Sequence, residues 1–93
     1  MKDKVLVSVL LPATRRRYEF RVPLDMAVEE AARMISEILG SRERGSYLPG
    51  AAPALVLIDS ASSAAGDLLN PREIVRNLVE QGTLVDGSSL ALA

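Results

Sequence analysis

Val5-Leu6-Val7-Ser8-Val9-Leu10-Leu11-Pro12-Ala13-Thr14-Arg15-Arg16-Arg17-Tyr18-Glu19-Phe20-Arg21-Val22 is the stretch that decides the fold. Val5–Leu11 is apolar and rich in branched side chains, and Pro12 ends it, which describes a short, well-buried strand. Arg17–Val22 alternates with period two. Tyr18, Phe20 and Val22 fall on one face and Arg17, Glu19 and Arg21 on the other, the pattern of a strand with one wet face. Ala13-Thr14-Arg15-Arg16 joins the two runs as a polar turn, so the stretch predicts an antiparallel hairpin.

Beyond it, Pro23-Leu24-Asp25 breaks the strand and offers Asp25 as a helix N-cap, with Glu29 and Glu30 placed to complement the helix dipole. Val28, Ala31, Ala32, Ile35, Ile38 and Leu39 recur at three- and four-residue spacing, predicting an amphipathic helix over 26–39 that Gly40 stops. Ser41–Pro53 reads as a loop. Ala54–Asp59 is almost wholly apolar and reads as a central strand, and Ser60–Gly66 as a flexible turn. Asp67-Leu68 can open a short strand. Arg72–Gln81 predicts a short helix with Asn70 as cap, Pro71 at its first position and Gly82 closing it. Asp86-Gly87 is a strong turn pair, and Ser89–Leu92 reads as a last short strand. An early hairpin, one main helix and further strands make an α+β plan, a mixed sheet of four or five strands on one face of the helix.

Composition narrows the chemistry. Ninety-three residues suit one domain, residues 1–93. A chain of this size buries roughly 60–65% of its unfolded surface, and 48% hydrophobic content suffices for that. Eleven basic against twelve acidic residues lack the excess of positive charge that nucleic-acid binders carry, so no nucleic-acid partner is expected. The sequence has no cysteine and no histidine. Thiolate chemistry, cysteine-zinc sites and the commonest general base are thereby excluded, and no enzyme activity, metal or cofactor is expected. Val5–Ala13 is the longest uncharged apolar run near the start, far short of the ~20 residues of a membrane span. Although Lys2 and Lys4 precede it, no small-residue cleavage site follows, and it runs into Arg15-Arg16-Arg17. The expected location is cytoplasmic, without membrane insertion.

With these elements in order, the chain resembles a ubiquitin-like β-grasp domain. The resemblance rests on the Val5–Leu11 and Arg17–Val22 hairpin, the Val28–Leu39 helix, the Ala54–Asp59 strand and the closing turn and strand Leu84–Leu92. It is most similar to the small bacterial proteins of the YukD/EsaB type, associated with type VII secretion. It therefore implies a non-catalytic protein-interaction module, an accessory or regulatory part of such a system. The alternative it implies is a small non-catalytic subunit of an oxygenase-type enzyme. Conjugated ubiquitin-like proteins need a flexible C-terminal Gly-Gly, whereas this sequence ends Leu90-Ala91-Leu92-Ala93, and its only lysines are Lys2 and Lys4.

Several candidate sites follow. Both Val5–Leu11 and Ala54–Ile58 place apolar side chains on both faces of the sheet, more than one helix covers. Leu6, Leu10, Leu55, Leu57 and Leu90 are the candidates for an apolar outer surface, with Leu6, Leu10 and Leu57 put forward as binding residues. Arg15, Arg16 and Arg17 supply a positive rim for another protein, a secretion-system component or a second copy held weakly. Asp25, Glu29 and Glu30 are explained by helix capping, and Gly40–Gly45 lacks the Lys-Ser/Thr of a phosphate loop. Ser88 and Ser89 have no base nearby and belong to turn chemistry. On this reading, mass spectrometry of native lysates should show only the free chain. A species joined through an isopeptide bond at Ala93 would overturn it.

Overall fold

The computed structural model describes residues 3–12, 14–42, 53–59 and 67–92. Its elements run β1 (Lys4–Leu11), β2 (Arg16–Pro23), α1 (Val28–Arg42), β3 (Leu55–Asp59), β4 (Asp67–Leu68), α2 (Val75–Glu80) and β5 (Ser88–Leu92). The predicted hairpin forms in an unbroken antiparallel register from Lys4↔Pro23 to Leu11↔Arg16. The sheet order is β2-β1-β5-β3-β4, with β5 parallel to β1 and antiparallel to β3. The sheet is therefore mixed, five-stranded and folded against α1, the α+β β-grasp plan. Its centre is β5. The apolar β3, expected to be central, lies one place from the edge, with only the two-residue β4 beyond it.

Alternation along β1 sends Val5, Val7, Val9 and Leu11 into the core. They meet Val28, Ala31, Ala32, Ile35 and Leu39 of α1 and Leu55, Leu57, Leu90 and Leu92 of the other long strands. Tyr18 and Phe20 lie half-buried against this cluster, and Val22 is within it. The helical stripe holds except at Ile38, which is 38% exposed.

Helix ends depart from the sequence reading in an instructive way. Asp25 does not cap α1. It pairs with Arg76 instead, and the helix starts three residues later. Ala27 has no side-chain oxygen to offer, so the orphan donors of the first turn go elsewhere. Glu30 Oε1 reaches back to the Ala27 N–H at 3.2 Å, half of a capping box. The N–H groups of Val28 and Glu29 donate to the carbonyls of Glu73 (2.8 Å) and Pro71 (2.9 Å). Gly40 does not stop the helix, which continues to Arg42. Asn70 does not cap α2 either. Its Oδ1 accepts from the Arg72 N–H in a turn, and α2 begins at Val75 with Ile74 as an N-cap that makes no side-chain bond. Gly82 does end α2. At φ 79 it carries a Schellman closure, Thr83 N–H to Leu78 O and Gly82 N–H to Val79 O. Most of the predicted loop Ser41–Pro53 and turn Ser60–Gly66 lie outside the described residues.

The segment leading into α2 is laced to the entrance of α1. Beside the two bonds above, the Val75 N–H donates to Met26 O and the Arg76 N–H to Leu24 O. The Arg76 guanidinium reaches Asp25 Oδ1 at 2.7 Å. That hydrogen bond, and then the charge of the same carboxylate, raise the Arg76 pKa above the ordinary arginine value. The pair is exposed, so the backbone lacing and the burial of Val75 and Leu78 hold α2 in place. Ile35 is wholly buried among apolar side chains. An Ile35→Asp variant should lose about 4 kcal/mol or more and fail to show a cooperative transition by circular dichroism, because it buries an unpaired charge.

Candidate protein-interaction surface

The registers of the four long strands and β4 fix what the sheet shows on the face away from α1. Arg17 pairs with Leu10, Leu10 with Ala91, Ala91 with Val56, and Val56 with Leu68. These five residues form one row across the whole sheet, apolar from Leu10 to Leu68 and ending on an arginine. Leu10, Ala91 and Val56 are half-buried, and Leu68 is 61% exposed. A polar row lies beside it, in which Glu19 pairs with Ser8 and Ser8 with Ser89. Leu6, opposite Arg21, lies beyond that polar row, at an open groove lined by Asp3, Lys4, Val5, Arg21 and Asp86.

The predicted binding residues therefore separate. Leu10 and Arg17 share the apolar row. Leu6 is on the same face but two residues before Ser8, so the polar row separates it from Leu10. Leu57 is withdrawn from the outer surface: it pairs with Leu90 on the core side and is only 2% exposed. Leu55 and Leu90 are buried for the same reason. Arg16 sits across from Leu11, on the opposite face from Arg17, and Arg15 occupies the hairpin turn at φ 59. The three consecutive arginines thus point to different places, and Arg21, paired with Leu6, and Lys4 are further cations of the outer face.

Sequence reasoning missed Val56 and Leu68. The signal was present in their neighbours. Once Leu55 and Leu57 are assigned inward, Val56 must point outward. Leu68 depended on a two-residue strand that alternation cannot resolve.

The turn before β5 positions this face. Asp86 Oδ1 accepts from the Leu6 N–H at 2.9 Å, and the Gly87 N–H donates to Leu6 O at 2.9 Å. Gly87, at φ 93, makes the left-handed step between them. Ser88 Oγ accepts from the Val85 N–H, the turn chemistry expected of this serine. Among the described residues, no group of three or more acidic side chains is placed to hold a metal ion, and no helix is long and apolar enough to cross a membrane.

No family model matches the sequence, and no curated protein is similar to it in sequence. Solved structures do match in shape. The ubiquitin-like domain of EccD5 from Mycobacterium xenopi superposes with a TM-score of 0.68 at 15% identity, over 99% of this chain and 94% of that one. The ubiquitin-like domain of the Mycobacterium tuberculosis type VII secretion protein EccD1 gives 0.67 at 16% identity, covering 99% of each. A chain of an ESX-5 inner membrane complex gives 0.70 at 18% identity, over 99% of this chain but only 21% of that one. The fold is the ubiquitin-like β-grasp.

The two faces make opposite demands on leucine. Leu57→Ser should cost about 2–4 kcal/mol in urea unfolding, through lost burial and an added hydroxyl in the core. Leu68→Ser should stay within about 0.5 kcal/mol of the parent, as exposed positions do. Equal losses at both would contradict the assignment of faces.

Proposed function

We propose that the protein is a ubiquitin-like interaction module that binds another protein through the outer face of its sheet, as an accessory or regulatory component of a type VII secretion system acting in the cytoplasm. The observation that carries the binding reading is the row Leu10, Ala91, Val56 and Leu68, apolar across four strands and bordered by Arg17. An apolar centre with a charged rim is the usual anatomy of a protein interface. The secretion reading is supported by the shape shared with EccD-type ubiquitin-like domains and with a chain of an ESX-5 inner membrane complex. Chemistry of its own is not part of this role: the sequence contains neither histidine nor cysteine.

The test is a pull-down from the native bacterium followed by titration of the recovered partner. Val56→Asp and Leu68→Asp, placed in the centre and at the end of the row, should each weaken binding at least about tenfold. Arg17→Glu should mainly slow association and reduce its salt dependence. If the aspartate variants fold and bind like the parent, the outer face is not the site. Recovery of hydroxylase subunits in place of secretion components would move the module to the oxygenase-type alternative.

A further inference from the structure

The two edges of the sheet are unequal. β4, at one edge, has two residues. β2, at the other, has eight, Arg16–Pro23, in register with β1 along its whole length and without a bulge. Among the described residues no strand pairs with its outer side. Which backbone groups face outward follows from one bond. The Leu24 N–H donates to Asp3 O, so Asp3 and Leu24 form a hydrogen-bonded pair of the antiparallel ladder. Such pairs recur every second residue, which turns the backbone of Val22, Phe20 and Tyr18 toward β1. The N–H and C=O groups of Arg17, Glu19 and Arg21 then point away from it, a row of donors and acceptors that can template another strand.

Proteins blunt such edges by shortening or bulging them, by placing proline within them, or by charging them. β2 is neither short nor bulged and its proline is the terminal Pro23, so its charges, Arg16, Arg17, Glu19 and Arg21, are the device that decides which strands may join it. Its charge also selects an occupant. Residues 15–21 hold four arginines, Arg15, Arg16, Arg17 and Arg21, and one acid, Glu19, in a chain whose formal net charge is −1, although Arg21 also shares a groove with Asp3 and Asp86. A second copy is a weaker fit. Two β2 strands paired antiparallel about Glu19 would set Arg17 against Arg21 and Glu19 against Glu19, and like charges directly opposite destabilise a sheet. The registers about Tyr18 or Phe20, which oppose Glu19 to Arg17 or to Arg21, leave Arg21 facing Arg15 or Arg17 facing Pro23, so no register gives every arginine an acid.

We propose that the free edge of β2 accepts an extended, acidic segment of a partner protein as a sixth strand, its backbone paired to Arg17, Glu19 and Arg21 and its carboxylates to the arginines. This mode of recognition draws affinity from the main chain and specificity from side chains. It uses the edge of the sheet, so it stands or falls apart from binding by the outer face.

The experiment uses the full 93-residue chain labelled with nitrogen-15 and an eight-residue peptide alternating Asp and Val, with an alternating Lys-Val peptide as counterpart. At saturation the acidic peptide should slow amide exchange at Arg17, Glu19 and Arg21 by about tenfold or more, as new ladder bonds do, and the basic peptide should not. Glu19→Pro removes an outward N–H while sparing the β1 ladder, a placement edge strands tolerate, and should weaken the acidic peptide at least about tenfold. Where that variant does not fold, the double variant Arg17→Glu, Arg21→Glu decides, with a loss of similar size and a flattened salt dependence. The proposal is overturned by equal protection from both peptides, by no protection, or by shifts confined to Leu10, Val56 and Leu68. Protection that grows with protein concentration in the absence of peptide overturns it too, in favour of a second copy.

Discussion

The parallel pairing of β5 with β1 is the contact on which the rest of this structure hangs. The β1–β2 hairpin and the β3–β4 pair share no register with each other. Each joins the sheet only through β5, a strand of five residues whose inward positions Ser88, Leu90 and Leu92 are buried. Parallel strands cannot be joined by a tight turn, so this contact is closed late in the chain, across nearly its full length. Register is the difficulty, since a slip of one residue would turn Leu90 and Leu92 outward. Two bonds from the Asp86-Gly87 turn to the backbone of Leu6 fix it at the strand's entrance.

A second constraint is the shortage of good caps. Neither helix has a serine, threonine or aspartate at its N-cap, yet α1 is long and well buried. Its first-turn donors are taken by carbonyls of the 71–73 segment, and α2's entry is taken by carbonyls of Leu24 and Met26. Each helix start is thus satisfied by the backbone leading into the other. This couples two parts of the chain about fifty residues apart.

How much of this was legible in the sequence depends on whether the signal is local. The hairpin and α1 were, because periods of two and of 3.6 are written into consecutive residues. Gly82 was, because its left-handed backbone is a property of one residue. The role of Asp25 was not, since its partner Arg76 lies 51 positions away and capping was the nearest explanation. The centrality of β5 was not, because apolarity was read as depth, and β3 is more apolar than the strand it leans on. Leu57 failed for a related reason. In an unbroken apolar run such as Leu55-Val56-Leu57-Ile58, alternation carries no information about which face is inward. Only the register Leu57↔Leu90 decides it.

That ambiguity has a physical source that bears on function. A strand buried on one face needs apolar residues at alternate positions only. β1 and β3 carry them at nearly every position, while β2, the strand with exposed charges, alternates strictly over 17–22. The excess is not spread evenly: Leu10, Ala91, Val56 and Leu68 line up in one row, and Ser8 and Ser89 interrupt it with a polar one. Solubility alone would favour polar residues along the first row as along the second. Of the nine arginines, four, Arg15, Arg16, Arg17 and Arg21, lie in the β1–β2 hairpin, while Asp25, Glu29 and Glu30 sit at the α1 entrance, where Arg76 pairs with Asp25. A nearly neutral chain so divided carries no long-range pull on a polyanion, but it can orient an approaching partner over a few ångströms. In the binding mode proposed above, apolar contact supplies the holding energy at one face of the sheet, and charge supplies direction at its rim.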